Sequence, residues 1–236
     1  MKTAVYCGTR NLYPHMIPAI KSLMANSDVE RIYVIAEDWK LPEELPDICK
    51  VIDITGQPYF KPTSPNWNNR CKYMVLIRIA LPFILPDEDV VLSIDVDTIV
   101  RRDISSLWNI DLTNKYLAGV REIKKSINGY NYINNGVAFY NLKLLRESGK
   151  AQEMIDELNT VRYPDTEQDV INKFCQGKMA FFSAHYNSNP WTGIVKNPNI
   201  IHYAGRKEWF DEKDYLDYKS LSWHDVMMWR KLFYNL

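Results

Sequence analysis

The sequence predicts an α/β fold, a mixed and mostly parallel sheet flanked by helices in a single domain. Short apolar runs typical of buried strands alternate with longer segments of helical periodicity over the first hundred residues. The 236 residues are enough to bury one sizeable core. The chain contains no internal repeat and no linker-like segment, so one domain is the economical interpretation.

In the first half, unbroken apolar runs indicate strands and wider apolar spacing indicates helices. We expect strands at Thr3–Cys7, Arg31–Ala36, Lys50–Ile54 and Val90–Ile94, and helices at about Pro14–Met24 and Asn68–Leu85.

The second half is less regular, and its elements are shorter. We expect strands at Lys115–Val120, Gly136–Tyr140 and Lys178–Phe182, helices at Leu142–Leu158, Thr166–Phe174 and Leu221–Phe233, and a loop from Ser183 to Lys196.

Charge and composition exclude several classes of function. Twenty-nine basic residues balance twenty-nine acidic ones, so no general attraction to nucleic acid is expected. The four cysteines form no C-x-x-C pair and suit reduced thiols in a cytoplasmic protein. No apolar run reaches the roughly 18 residues of a membrane span, and Arg10 interrupts any signal-peptide core.

The aromatic C-terminal tail permits one kind of membrane contact. Trp223, Met227, Trp229 and Phe233 could rest on a lipid surface, which would make the protein peripheral to a membrane. The tail carries few basic residues, so packing on the domain is the favoured interpretation.

The sharpest local feature is a pair of carboxylates directly after the apolar run Val90–Ile94. Ligands of open α/β sheets sit beyond the carboxyl ends of the strands, where Asp95 and Asp97 are expected. In an extended segment, side chains at i and i+2 share a face and can address one cation. Helix caps or surface carboxylates are the alternative, and the two interpretations stand about even.

Arg78 is the second anomaly, because it lies within an otherwise apolar helical segment. A buried guanidinium needs an anionic or hydrogen-bonding partner. It is either a structural ion pair with a neighbouring carboxylate or a clamp that contacts a ligand beside Asp95.

Five segments, in order, resemble one protein family. They are the Arg-containing Ile77–Ile79 with the strand that ends in Asp95-Val96-Asp97, then Asp103–Trp108, Tyr132–Val137 with Asn141-Leu142, Glu167–Asn172, and Ile201–Gly205 with Trp209. Each motif is weak alone, but together they are similar to glycosyltransferase family 8, which includes glycogenin and bacterial lipopolysaccharide galactosyl- and glucosyltransferases.

The resemblance implies a GT-A fold, which is Rossmann-like, with residues 1–236 as one catalytic domain. Residues up to about 100 would bind the nucleotide, and those from about 101 the donor sugar and acceptor. The implied activity is the retaining transfer of a hexose from a nucleotide diphosphate sugar, UDP-glucose or UDP-galactose, to a hydroxyl of a glycan, glycolipid or protein. Asp95, Asp97 and His202 would bind a divalent metal, Mn²⁺ or else Mg²⁺. Two carboxylates and an imidazole suit Mn²⁺ well.

The resemblance also implies residues that contact the donor. Gln168, Arg78 and Asn134 match catalytic or sugar-contacting positions, and amides suit sugar hydroxyls because they both donate and accept. The residues expected to bind the nucleotide-sugar are Tyr6, Gly8, Thr9, Asn11, Tyr13, Val96, Glu167, Gly205 and Lys207.

The sequence departs from the family pattern at three positions. Thr9 stands where the family commonly has an Asp that binds uracil, and Glu167 replaces an Asp. Lys207 lies one residue closer to His202 than usual, so either Lys207 or Arg206 would contact the diphosphate.

Two rival functions share some of these sequence features. Phosphatases with an aspartyl nucleophile also place D-x-D after a strand, but they need a hydroxyl where this chain has Ile99. A non-catalytic protein that binds a sugar nucleotide or a glycan on the same fold is the alternative that stays open. The sequence specifies neither the acceptor nor the oligomeric state.

Overall fold

The computed structural model describes residues 1–9, 12–37, 45–68, 72–126 and 129–204. Within these ranges lie nine strands and five α-helices. In chain order they are β1 (Thr3–Gly8), α1 (Tyr13–Ala25), β2 (Arg31–Ala36), β3 (Cys49–Asp53), α2 (Ile77–Ile84), β4 (Val90–Ile94), β5 (Thr98–Val100), β6 (Leu117–Arg121), β7 (Ile133–Asn141), α3 (Leu142–Glu147), α4 (Lys150–Thr160), α5 (Thr166–Phe174), β8 (Met179–Phe181) and β9 (Ile200–His202).

Seven strands form the main sheet, in the order β3-β2-β1-β4-β7-β6-β8. The pairs β3–β2, β2–β1, β1–β4 and β6–β8 are parallel, whereas β4–β7 and β7–β6 are antiparallel. The mixed, mostly parallel sheet predicted from the sequence is therefore confirmed.

The strand order reverses direction between β1 and β4. The chain runs outward from β1 to β3 and then returns through α2 to place β4 on the other side of β1. At such a switch point, the carboxyl ends of two parallel strands diverge into a crevice where ligands bind. Gly8 ends β1 and Asp95 follows β4 at this edge.

The sheet divides the core into two apolar layers. Helices α2, α4 and α5 cover one face with side chains such as Leu81, Leu158 and Val170, which are fully buried. Helix α1 and the small sheet β5–β9 cover the other face with side chains such as Ile20 and Ile200. Burial on both faces explains why β1, β2 and β4 read as continuous apolar runs.

Strands β5 and β9 form a separate two-stranded antiparallel sheet that the sequence analysis did not predict. Thr98 lies opposite His202 and Val100 opposite Ile200. Each strand has only three residues, too few to show an alternating pattern. This pairing brings a segment from the end of the described chain beside the residues that follow β4.

Two predicted helices were too long. The segment predicted as a helix over Asn68–Leu85 contains a 3₁₀ turn at Lys72–Val75, and the α-helix begins only at Ile77. The Tyr73 ring stacks on Trp67 with centroids 4.4 Å apart, so tertiary packing overrides helix propensity there.

The segment predicted as one helix over Leu142–Leu158 consists of α3 and α4. Gly149 separates them with φ of 73°, a left-handed conformation that ends a helix. Asn141 caps the first of the two, since its side chain accepts a hydrogen bond from the Leu144 amide at 2.9 Å.

Strands β2 and β4 and helix α5 have the predicted ends. The other predicted strands are present with shifted ends, and β7 begins three residues earlier than predicted. The predicted helix at Leu221–Phe233 lies outside the described residues. In the described part of the chain, no helix is both long and apolar enough to span a bilayer.

We predict that Gly149→Ala lowers the free energy of unfolding by about 1 kcal/mol, because an L side chain is strained in the left-handed region. No heavy atom lies within 4 Å of the added Cβ, so steric overlap contributes nothing. Gly149→Asn is the matched control and should cost less, since Asn tolerates this conformation. Urea denaturation measures both; equal losses would contradict the prediction.

Candidate active site

The two carboxylates that follow β4 lie in a turn. The segment was expected to be extended, but Val96 and Asp97 form a turn between β4 and β5. The Asp95 amide donates to the Gly136 carbonyl at 2.8 Å, and Thr98 Oγ1 donates to the Asp95 carbonyl at 2.7 Å. These bonds, with the one that the Tyr203 amide donates to the Asp97 carbonyl at 2.8 Å, hold the backbone of the turn. Both carboxylates lie at one place although the segment is not extended.

The structure brings the three predicted metal ligands together. His202 Nε2 lies 3.3 Å from Asp97 Oδ1 and 3.6 Å from Asp95 Oδ2. One ligand atom from each residue falls within 4.8 Å of the others. His202 is 3% exposed, so its ring is held by the fold. Such a set of nitrogen and carboxylate oxygen donors suits a divalent transition metal.

Burial and charge act in opposite directions on this cluster. Burial lowers the pKa of His202, but the Asp97 and Asp95 carboxylates raise it more, and the net pKa lies above its ordinary value. Burial alone would raise the pKa of Asp97, but the neighbouring His202 lowers it by more, so the net pKa of Asp97 lies below its ordinary value. A cation would take the place of the proton that these groups otherwise share.

Gly136 makes room for the imidazole. A Cβ built on Gly136 would lie 1.9 Å from His202 Cε1. No rearrangement of a flexible side chain relieves that overlap, because the ring is buried. Gly136 lies within the Tyr132–Val137 motif, but the sequence of that motif does not indicate this role.

Arg78 is an ion-paired residue at the centre of the site. It is 6% exposed and hydrogen-bonds the Asp95 carboxylate. It also donates to the Asn135 carbonyl at 3.1 Å and to Glu167 Oε1 at 3.5 Å. The sequence allowed either a structural ion pair or a clamp that contacts a ligand. The contacts are those of the ion pair, which lies within the site itself.

The predicted sugar-contacting amides form a buried cluster with Glu122. Asn134 Nδ2 and Gln168 Nε2 both donate to Glu122 Oε1, at 2.8 and 3.0 Å. The Asn135 amide donates to Gln168 Oε1 at 3.0 Å, which orients that side chain. Glu122 is 3% exposed, and the sequence analysis missed it because an isolated Glu after a strand gives no signal.

Asn187 connects the amide cluster to the predicted metal ligands and was also missed. Its Oδ1 lies 2.9 Å from His202 Nδ1, and its Nδ2 donates to Asn134 Oδ1 at 2.9 Å. The side chain is fully buried. The sequence predicted a loop here. The two asparagines at positions 187 and 189 were the only feature of the sequence that could have indicated a polar cluster.

Asp169 has a structural role in the described geometry. It accepts a hydrogen bond from the Tyr132 hydroxyl at 2.5 Å and another from the Asp165 amide at 2.8 Å. These bonds hold the first turn of α5 against the start of β7.

Residues predicted to bind the nucleotide lie at different depths. Gly8 and Val96 are neighbours at the switch point, since a Cβ on Gly8 would lie 3.7 Å from Val96 Cγ1. Tyr6 and Tyr13 are buried in the core, and the Tyr13 hydroxyl donates to the Glu37 carbonyl at 2.7 Å. Thr9 follows β1 and is partly buried. Asn11, Gly205, Arg206 and Lys207 lie outside the described residues.

Comparison with known proteins assigns the chain to a family. The model of the family described as "Glycosyl transferase family 8" matches residues 4–213. The chain belongs to glycosyl transferase family 8. A putative glycosyltransferase of Haemophilus influenzae is 27% identical over 237 residues, which cover 85% of this chain and 70% of that protein.

Other family 8 relatives are more distant. A lipopolysaccharide 1,2-glucosyltransferase of Escherichia coli is 26% identical over 151 residues, covering 51% of this chain and 44% of that protein. The crystal structure of a galactosyltransferase, LgtC, with donor and acceptor sugar analogues superposes with a TM-score of 0.75 at 20% identity. The superposition covers 99% of this chain and 96% of the LgtC chain. The fold is therefore GT-A, and the protein is a glycosyltransferase.

We predict that Gly136→Ala destabilises the protein only while the His202 ring is present. The added methyl group overlaps the ring, so the variant should lose roughly 1–3 kcal/mol of unfolding free energy as an overpacked site does. In the His202→Ala background, the same change should cost under about 0.5 kcal/mol, because the overlap is gone. Urea denaturation of the four proteins measures the interaction; equal costs in both backgrounds would show that the ring is not the obstacle.

We also predict a pH-dependent contribution from Glu167. Burial raises the pKa of this carboxyl to about 7, although Arg78 acts to lower it, from an ordinary value of 4.5. Between those values the folded state binds more protons than the unfolded chain, so wild-type stability falls as pH rises through this window.

Glu167→Gln cannot release a proton and should not share that loss. The free energy of unfolding of Glu167→Gln minus that of wild type should thus increase from about pH 5 to about pH 8, by at most about 3 kcal/mol. Urea denaturation at the two pH values measures it. A difference that stays constant would mean that Glu167 keeps its ordinary pKa.

Proposed function

We propose that this family 8 enzyme is a metal-dependent, retaining hexosyltransferase that uses a UDP-hexose, UDP-glucose or UDP-galactose, and a hydroxyl acceptor. The observation that carries the proposal is the convergence of Asp95, Asp97 and His202 at the switch point of the sheet, with their ligand atoms within 4.8 Å of one another. Glucosyl- and galactosyltransferases among the relatives support the choice of hexose.

The residues at this site fit a divalent metal. His202 has one ring nitrogen toward the carboxylates and the other toward Asn187, the arrangement of a ligand whose second nitrogen is held from behind. Asp95 and Asp97 would supply the oxygen donors, and Mn²⁺ is the cation best suited to this mixed set, with Mg²⁺ as the alternative. When bound, the cation neutralises negative charge on the departing diphosphate.

The amide cluster suits the donor sugar. Asn134 and Gln168 keep fixed orientations through Glu122, so their remaining hydrogen-bonding capacity is preorganised. Neighbouring Asn135 is 1% exposed, and neither Nδ2 nor Oδ1 of its side-chain amide has a hydrogen-bond partner in the described part of the chain. An unpaired buried amide is costly, and the hydroxyls of a sugar would satisfy it.

The proposal includes a place for the acceptor. A cavity of about 500 Å³ is lined by Lys124, Lys125, Tyr130, Tyr132, Tyr163, Asp169 and Lys173. The Tyr132 hydroxyl lies 3.3 Å from Gln168 Nε2, so the cavity shares a wall with the amide cluster. Tyrosine rings with polar groups between them suit a sugar. A glycan or glycolipid acceptor is therefore favoured over a protein.

Location and nucleotide complete the proposal. Cys7, Cys49 and Cys175 are free thiols, which supports the cytoplasm as the compartment. Thr9 would offer the uracil a neutral partner, a weaker acceptor for the base N–H than a carboxylate. The nucleotide site is therefore expected to prefer UDP over GDP by a modest factor.

We predict that Asp97→Asn lowers the rate of UDP-hexose turnover with Mn²⁺ at least about a hundredfold, because the metal supplies several kcal/mol of transition-state stabilisation. A coupled assay for released UDP measures it. Asp111→Asn, at an exposed carboxylate, is the matched control and should keep wild-type turnover.

The same assay separates the enzyme from a non-catalytic binding protein. If wild type binds the UDP-hexose with Mn²⁺ but releases no UDP in the presence of any glycan acceptor, the protein is a binder. Wild-type turnover in excess chelator would overturn the metal dependence.

A further inference from the structure

We infer that Asn187 is a positioning residue that holds a metal ligand with one end of its side chain and a sugar-contacting amide with the other. Its Oδ1 would accept a hydrogen bond from His202 Nδ1–H, so that Nε2 presents a lone pair to the cation. Its Nδ2 would fix Asn134. The inference deepens the proposed function and rests on it for the presence of the metal.

The orientation of the Asn187 amide is determined by its neighbours. The Gly136 amide donates to Asn134 Oδ1 at 3.2 Å, so Asn134 presents an acceptor to Asn187 Nδ2. On the other side, Asn189 Nδ2 donates to Asn187 Oδ1 at 2.9 Å. If the oxygen and nitrogen of Asn187 were exchanged, its nitrogen would face the Asn189 donor and its oxygen would face the Asn134 acceptor, and both hydrogen bonds would be lost.

Asn189 is itself oriented by the backbone. The amides of Trp191 and Thr192 donate to Asn189 Oδ1 at 2.8 and 3.1 Å. Asn187 and Asn189 are 0% and 1% exposed. Backbone amides thus fix the orientation of the Asn134 and Asn189 side chains, and these two fix the Asn187 side chain between them. Asn187 Oδ1, an acceptor, therefore faces His202 Nδ1.

The orientation of these side-chain amides decides which nitrogen of the His202 ring donates a hydrogen bond to Asn187. Asn187 Oδ1, an acceptor, lies 2.9 Å from Nδ1 and is nearer than the Asn189 Nδ2 donor at 3.4 Å, so Nδ1 donates its hydrogen to Asn187. The other ring nitrogen, Nε2, then faces Asp97 at 3.3 Å and is the atom that would bind the cation. Replacing such an outer partner of a histidine ligand commonly costs about 10–100-fold in metal affinity.

The test compares three variants by calorimetric titration of the purified protein with Mn²⁺ alone. Asn187→Leu keeps the branching and the number of side-chain heavy atoms but removes the acceptor, and its Mn²⁺ affinity should fall at least about tenfold. Asn187→Asp keeps an acceptor for Nδ1–H and should bind Mn²⁺ within about threefold of wild type. The aspartate puts an oxygen against Asn134 Oδ1, however, and should weaken UDP-hexose binding more than UDP binding.

Asn66→Leu is the matched control for structural damage. Asn66 is 2% exposed, and its Nδ2 donates to the carbonyls of Leu158 and Val161, away from the site. It should lose stability while keeping wild-type Mn²⁺ affinity. If Asn187→Leu does not fold, Asn187→Ser removes the amide with less apolar bulk and should show the same loss of affinity.

The outcomes distinguish this inference from the proposed function. If wild type does not bind Mn²⁺, the metal-dependent function fails and the inference fails with it. If wild type binds Mn²⁺ but Asn187→Leu binds within twofold of it, or Asn66→Leu loses as much affinity, the function stands and the inference is wrong.

Discussion

The pairing of β5 with β9 is the contact on which the site depends. It sets Thr98 opposite His202 and thereby joins residues more than a hundred positions apart in the chain. The Tyr203 amide extends the pairing by donating to the Asp97 carbonyl at 2.8 Å. Because each strand has three residues, the pairing cannot be stable alone and is held by the apolar layer that packs α1 against Val100 and Ile200.

The buried polar groups of the site form one connected set rather than separate catalytic contacts. From Glu122 the hydrogen bonds run through Asn134 and Asn187 to His202. Buried polar groups of this kind are favourable when each is satisfied and costly when one is left unpaired. Crowding adds to this constraint, since Gly136 leaves no space for the ring to move toward β7.

The sequence predicted the sheet and the pair of carboxylates at the candidate metal site because both have short-range signals. Apolar runs identified β1, β2 and β4 to within one residue, and D-x-D after a strand identified Asp95 and Asp97. The residues it missed act through tertiary contacts. Glu122 and Asn187 are single polar residues whose burial depends on partners far along the chain. For the same reason the helix break at Gly149 was missed, since a helical periodicity continues across it.

The charges around Arg78 have a consequence for the order in which ligands arrive. Arg78 pairs with Asp95 and Glu167 while Asp97 faces His202, so three carboxylates surround one guanidinium in the described part of the site. A polyanion that reaches this edge first meets repulsion, whereas a cation is attracted and, once bound, reverses the sign of the local field. On the proposed metal-dependent function, we therefore expect the cation to bind before the anionic ligand.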